Sequence, residues 1–223
     1  MVMRKKPVLL TMFPILLLII MTFSGCIKQP LRLDNVEIRE YNGEQLSSVN
    51  DFHENSIKGT QFVNKTTYRL NITGLVTTPR SYTYEEVITH FTSYFKVVTL
   101  HCVEGWSVTL LWKGVLIDDL LAAAQPQPTA KTLIFKAVDG YTTSFPINYT
   151  GEHHIILAYT MNNVTLPPER GFPFQLVAES KWGYKWIRWI TDIEVSDNEN
   201  YKGYWESRGY SNSGDLNKSI REE

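Results

Sequence analysis

The first 26 residues and the remainder of the chain follow different patterns of apolar and polar positions. Arg4, Lys5 and Lys6 precede an apolar run over residues 8–20, interrupted by Thr11 and Pro14, and the small residues Ser24 and Gly25 then lead to Cys26. Residues 28–65 show no period and are rich in Asn, Ser, Glu and Gln, which predicts a tether followed by an irregular arm. From Tyr68 the pattern becomes regular. Tyr68, Leu70 and Ile72 alternate with Arg69 and Asn71, the period of a half-buried strand, until Thr73-Gly74 closes it. Thr83 and Glu86 have capping-box spacing, and Tyr84, Val87, Ile88, Phe91 and Phe95 recur at helical spacing, so a helix is predicted there.

Val98, Leu100 and Cys102 share one face of the next predicted strand and Thr99 and His101 the other, which turns the thiol toward the core. Residues 116–124 predict a short helix stopped by Pro126 and Pro128, and residues 133–138, 144–147, 155–160, 174–178 and 186–195 predict strands. Polar residues from Ser211 onward predict a disordered, fraying tail. Strands that outnumber two modest helices, without a βαβ alternation, predict an α+β class with a sheet-rich mixed fold. The expected organisation is a leader over residues 1–25, tether and arm over 26–65, one folded domain over 66–210 and a tail over 211–223.

The leader's order of charged, apolar and small segments describes a secretory signal. Cys26 directly after Ser-Gly predicts a lipobox, with Phe23 where leucine is usual; the alternative is an uncleaved membrane anchor, since the run is near the length that spans a bilayer. Both place the domain outside the cytoplasm, attached to the cell membrane. Five Asn-x-Ser/Thr triplets, at Asn64, Asn71, Asn148, Asn163 and Asn217, are compatible with that side of the membrane. A net charge of −1 with interspersed signs gives no electrostatic footprint for nucleic acid, so no such partner is expected.

An exported domain ordinarily uses cysteines in pairs, yet this chain has two, and Cys26 already has a use. Cys102 is left as either an inert core residue or a nucleophile or metal ligand. No Gly-rich phosphate loop, HExxH or CxxC is present, which removes the usual support for nucleotide-binding and zinc-hydrolase folds. His101 and the six tryptophans have packing as their simplest use.

The segment from His101 through Cys102, Glu104, Gly105 and Trp106 to Ser107, followed by Trp112-Lys113-Gly114-Val115 and Asp118-Asp119-Leu120-Leu121, resembles the metal-ligand segment of the sulfite oxidase family. It is most similar to the branch containing the periplasmic methionine sulfoxide reductases. A second block, from Leu157-Ala158-Tyr159 through Gly171-Phe172-Pro173 and Trp182-Gly183-Tyr184-Lys185 to Arg188, resembles the family's pterin-binding half, and residues 203–210 resemble its tail. The resemblance implies a molybdenum-molybdopterin cofactor with Cys102 as thiolate ligand, and an oxidoreductase moving an oxygen atom to or from a small substrate. It also implies an external electron partner, a cytochrome or quinone-linked membrane protein.

Contacts to the cofactor phosphate are implied at Arg170, Gln175 and Arg188, where the family carries His or Asn, Arg and Lys; two cations remain, and Lys185 is a further candidate. Asn55 in the arm lies where the reductase branch has an Asn near the metal, with His53 beside it. Glu104 and Trp106 stand where sulfite oxidases proper carry arginines, which implies a neutral or apolar substrate over a sulfite dianion. Arg4-Lys5 in place of a twin arginine keeps open a cofactor-free domain acting as a surface binding or structural lipoprotein. A metal-free cysteine reductase lacks a resolving cysteine.

Overall fold

A computed structural model describes residues 35–222. The leader, the lipobox cysteine Cys26 and the first part of the tether lie outside the described residues. In chain order the elements are β1 (Glu40–Tyr41), β2 (Glu44–Gln45), β3 (Leu70–Gly74), β4 (Arg80–Tyr82), α1 (Tyr84–His90), β5 (Ser93–His101), β6 (Ser107–Leu116), α2 (Ile117–Ala124) and β7 (Thr132–Ala137). They continue with β8 (Thr142–Pro146), α3 (Ile147–Glu152), β9 (Ile156–Met161), β10 (Val164–Thr165), β11 (Gln175–Val177) and β12 (Ile190–Ser196).

Two five-stranded sheets carry the domain. One has the order β10-β9-β6-β5 with β11 also on β9, all antiparallel; the other has the order β4-β3-β12-β7-β8. In the second, β12 pairs parallel to β3 and antiparallel to β7, so the sheet is mixed. One apolar cluster draws Leu100, Leu110 and Trp112 from the first sheet, Leu70, Phe135 and Ile193 from the second, and Ile117 and Leu120 from α2. The sheet-rich α+β class predicted from the sequence is the class observed.

The departures have local causes. The capping box at Thr83 forms as predicted, with Glu86 N donating to Thr83 Oγ1 at 3.1 Å and Thr83 N donating to Glu86 at 2.7 Å. The helix ends at His90, however, because Phe91 turns extended and residues from Ser93 join a nine-residue ladder with β6. Strand pairing there overrides a helical spacing that β-branched and aromatic residues support only weakly. β6 is not among the predicted strands, because its consecutive buried residues Leu110, Leu111 and Trp112 mask the period-two signal of a central strand. Nor is α3 a predicted helix, since it lacks a side-chain N-cap and contains Gly151. The strand predicted over residues 186–195 starts only at Ile190, since Trp189 has φ 56° and breaks the extended run.

The tail predicted to fray from Ser211 is instead fastened to the domain. Trp182 N donates to Gly214 O at 2.8 Å, Leu216 N to Ser180 O at 3.0 Å, and Asp215 pairs with Lys181 and, at 2.7 Å, with Lys218. These are polar attachments, which hydropathy does not register. The same region holds a buried ion pair: Lys185 Nζ donates to Glu206 Oε1 at 2.7 Å, to Ser144 O at 2.7 Å and to Asn212 O at 3.0 Å, and both side chains are fully buried. Thr143 Oγ1 donates to the same carboxylate oxygen at 2.6 Å.

Lys185→Met is expected to destabilise the domain by about 3–5 kcal/mol in urea unfolding, because Glu206 keeps its charge without its partner, whereas Lys185→Met with Glu206→Leu recovers most of the loss. Asp215 supplies a pH signature. Partial burial works to raise its carboxyl, but Lys181 and Lys218 overcome that and hold the pKa at about 2. A depressed folded-state value contributes stability above the unfolded pKa, near 4, that is lost as pH falls through about 2. Asp215→Asn therefore costs about 1–2 kcal/mol at neutral pH, and thermal melts of variant and parent draw together as pH falls and converge only below pH 2.

Candidate functional site

Cys102 is the first residue past β5, at the start of the turn that returns the chain into β6. Its N–H donates to Trp106 O at 2.9 Å, Gly105 N donates back to Cys102 O at 3.1 Å, and Gly105 supplies the positive φ of 92° that closes the turn. A second segment braces the cysteine from the side. His101 bridges Trp182, and a Cβ placed on Gly183 would stand 3.2 Å from His101 O and 3.5 Å from the Cys102 Cα. The thiol is free, 8% accessible, and lines a cavity of about 700 Å³.

The arm brings a polar group to that sulfur. Asn55 Nδ2 lies 3.7 Å from Cys102 Sγ and donates to Glu104 Oε2 at 3.0 Å, and Trp106 Nε1 donates to the same oxygen at 3.2 Å. Burial pushes the Cys102 thiol above its ordinary pKa, with the Glu104 charge adding to the rise and the bonds from the 103–104 backbone and Asn55 opposing it. The same Asn55 and Trp106 bonds hold the Glu104 carboxyl below its ordinary value. The arm's own course is fixed upstream. Glu37 accepts from Val49 N at 2.8 Å, and Asn162 donates to Ser47 O at 2.7 Å while accepting from Leu111 N at 2.9 Å.

Of the residues singled out in the sequence, Cys102, Asn55, Gln175 and Arg188 line the one cavity, with His53. Gln175 is 2% exposed and its backbone bridges Arg188. The Arg188 guanidinium donates to Glu169 O at 3.0 Å and, at short range, to Asn55 O; burial pulls its pKa down to about 10. Arg170 and Lys185, also expected to contact a cofactor phosphate, are not among the residues that line the cavity. Arg170 donates to Val49 O at 2.8 Å and Phe52 O at 2.7 Å and lies 3.9 Å over the Phe52 ring, while Lys185 is consumed by Glu206. A guanidinium or ammonium next to a pterin-like motif does not reveal in sequence which carbonyls will claim it.

Trp112, Trp186 and Trp189 are buried, in keeping with the expected core packing, and Trp106, Trp186, Trp189 and Trp205 also line the cavity. Tyr141, Tyr184 and Tyr210 join them, and the sequence signal for Trp205 and Tyr210 was the Gly203 to Tyr210 segment. A soft sulfur at the wall, aromatic faces for a planar ring and one guanidinium are a donor set that suits a metal chelated by an organic dithiolene, for which Cys102 is the candidate ligand and Arg188 the candidate cation.

Comparison with known proteins follows this chemistry. A family model described as oxidoreductase molybdopterin binding domain matches residues 57–205. An uncharacterised oxidoreductase, YuiH, of Bacillus subtilis is 34% identical over 151 residues, covering 67% of this chain and 75% of that one. The putative protein-methionine-sulfoxide reductase subunit YedZ1 of Azospira oryzae is 34% identical over 66% of this chain and 56% of its own length. The protein-methionine-sulfoxide reductase catalytic subunit MsrP of Gluconobacter oxydans is 26% identical over 70% of this chain and 57% of its own. The crystal structure of the sulfane dehydrogenase SoxCD from Paracoccus pantotrophus has a TM-score of 0.61 at 24% identity, over 68% of this chain and 42% of that one, a likeness of fold.

Gly171 tests the packing behind the cavity. It has φ +100°, and an added Cβ would lie 3.1 Å from Arg188 Cβ and 3.2 Å from Gln175 Cβ. Gly171→Ala is expected to lower stability by about 1–2 kcal/mol, read by urea unfolding, because both the backbone and the Arg188 stem must shift.

Proposed function

Because the chain belongs to the oxidoreductase molybdopterin binding domain family, we propose that it is an exported, membrane-anchored oxidoreductase whose Cys102 thiolate ligates the molybdenum of a molybdopterin. The observation that carries this reading is the free thiol at the wall of a large aromatic cavity, with the Asn55 amide 3.7 Å from it. When bound, the group supplies two-electron oxygen-atom-transfer chemistry that no side chain here can perform. The chain's part is to hold and surround it. Cys102 provides the soft ligand, Arg188 a cation for the phosphate, and the tryptophans and tyrosines an environment that limits water.

The substrate is a small neutral or weakly polar oxide of the sulfoxide type. Glu104, fixed by Asn55 and Trp106 beside Cys102, disfavours an oxyanion there. The names of the Azospira and Gluconobacter relatives agree with a sulfoxide substrate. An external carrier, a cytochrome or quinone-linked membrane protein, supplies or removes electrons, in line with the names of the Azospira and Gluconobacter relatives as subunits. Lipid at Cys26 is the anchor on the strength of the Ser24-Gly25-Cys26 order alone, since that segment lies outside the described residues.

A second reading has one observation in its favour. With Arg170 and Lys185 engaged elsewhere and Gln175 neutral, the anion-binding set around the cavity is thin, as in a cofactor-free module acting as a binding or structural lipoprotein. Elemental analysis of protein purified from its own membranes separates the two. About one molybdenum per chain, lost in Cys102→Ser, is the expected result, and none in metal-replete cells selects the module.

A further inference from the structure

We propose that Arg170 and Arg188 are positioning residues whose guanidinium groups clamp the backbone of arm residues 49–55 and thereby hold the Asn55 amide against Cys102 Sγ. The arm from residue 46 to residue 67 contributes no strand of its own, so its carbonyls need partners from elsewhere. Three of them, spaced three residues apart, are taken by the two arginines. Arg170 Nε donates to Val49 O at 2.8 Å and Nη2 to Phe52 O at 2.7 Å, and Arg188 Nη2 donates to Asn55 O.

The two side chains are themselves joined. Arg188 Nη1 donates at 3.0 Å to the carbonyl of Glu169, the residue before Arg170. Arg170 lies 3.9 Å over the Phe52 ring, whose other neighbour is Trp106 at 5.7 Å between ring centroids. Trp106 donates to Glu104, which accepts from Asn55. The contacts form a closed circuit from arginine through arm and indole to the amide at the sulfur. Charge-assisted bonds to carbonyls are stronger than neutral ones, so removing either guanidinium frees the arm, and loss of Arg170 also leaves the buried bonds to Val49 O and Phe52 O unmade.

This inference takes its purpose, but not its geometry, from the reading of Cys102 as the ligating atom, and it separates from a cofactor-phosphate role in protein that holds no cofactor. The test is alkylation of Cys102 by iodoacetamide in the full chain produced without molybdenum, followed on the Cys102 peptide by mass spectrometry. Arg170→Met and Arg188→Met are each expected to speed labelling about tenfold, and Arg188→Lys, which keeps a donor, to restore part of the protection. Loss of positive charge without arm movement disfavours the thiolate and slows labelling, so acceleration reports the arm. Unchanged or slower labelling in folded variants overturns the clamp, whatever the molybdenum analysis gives. If the variants do not fold, hydrogen exchange in the unaltered chain decides. Protection of the hydrogen-bonded amides of residues 48–51 comparable to β6 supports the clamp, and rapid exchange of those amides beside a protected β6 overturns it.

Discussion

The site depends on keeping one sulfur away from bulk water without sealing it in protein. Burial alone gives an inert thiol, and exposure in an oxidising compartment gives a liability. Here the β5–β6 turn places Cys102 at the edge of the sheet, the Trp182-Gly183 backbone supports it from the side, and its remaining surface opens on a cavity instead of on packed side chains. Gly183 packs closely on His101 and Cys102, where an added Cβ would meet His101 O at a tight 3.2 Å. Backbone contacts therefore set the position of the sulfur, and the cavity follows from what the aromatic side chains leave open.

The second organising feature is where the cations go. The region resembling a pterin-binding half carries Arg170, Lys181, Lys185 and Arg188, enough positive charge to suggest an anion site. Three of the four are committed away from the cavity: Lys181 to Asp215, Lys185 to Glu206, and Arg170 to arm carbonyls. A buried ammonium beside a buried carboxylate contributes little net stability over an apolar pair but is costly to break, so it specifies how the tail sits more than how tightly the domain folds. Arg188 alone both lines the cavity and holds the arm. Its lowered pKa of about 10 still leaves it charged at neutral pH, so a desolvated cation remains for an anionic group.

Family membership and fold agree with this chemistry, and the relatives that share it include proteins named as sulfoxide reductase subunits as well as an uncharacterised oxidoreductase. Asn55 beside the sulfur, with Glu104 and Trp106 bonded to it in turn, brings no positive charge and links the arm to the cysteine turn through shared hydrogen bonds. Arm and turn are thus one unit in which a change at Phe52 or Arg170 is felt at Cys102.

The amino-acid sequence by itself determined the sheet-rich class, the start of the first helix, the inward face shared by Val98, Leu100 and Cys102, and the family to which these blocks belong. Each rests on a local signal: period-two alternation, a capping box four residues long, or residue identities in order. It did not determine where that helix stops, the strand β6, or the ordering of the last dozen residues, because those depend on ladders and ion pairs between segments far apart in the chain. Asn55 was legible as a site residue by position, whereas the roles of Arg170 and Lys185 were not. A cation's identity is written in the sequence, but its partner is whichever buried acceptor the tertiary fold brings within hydrogen-bonding distance, and desolvation forces that acceptor to be satisfied first.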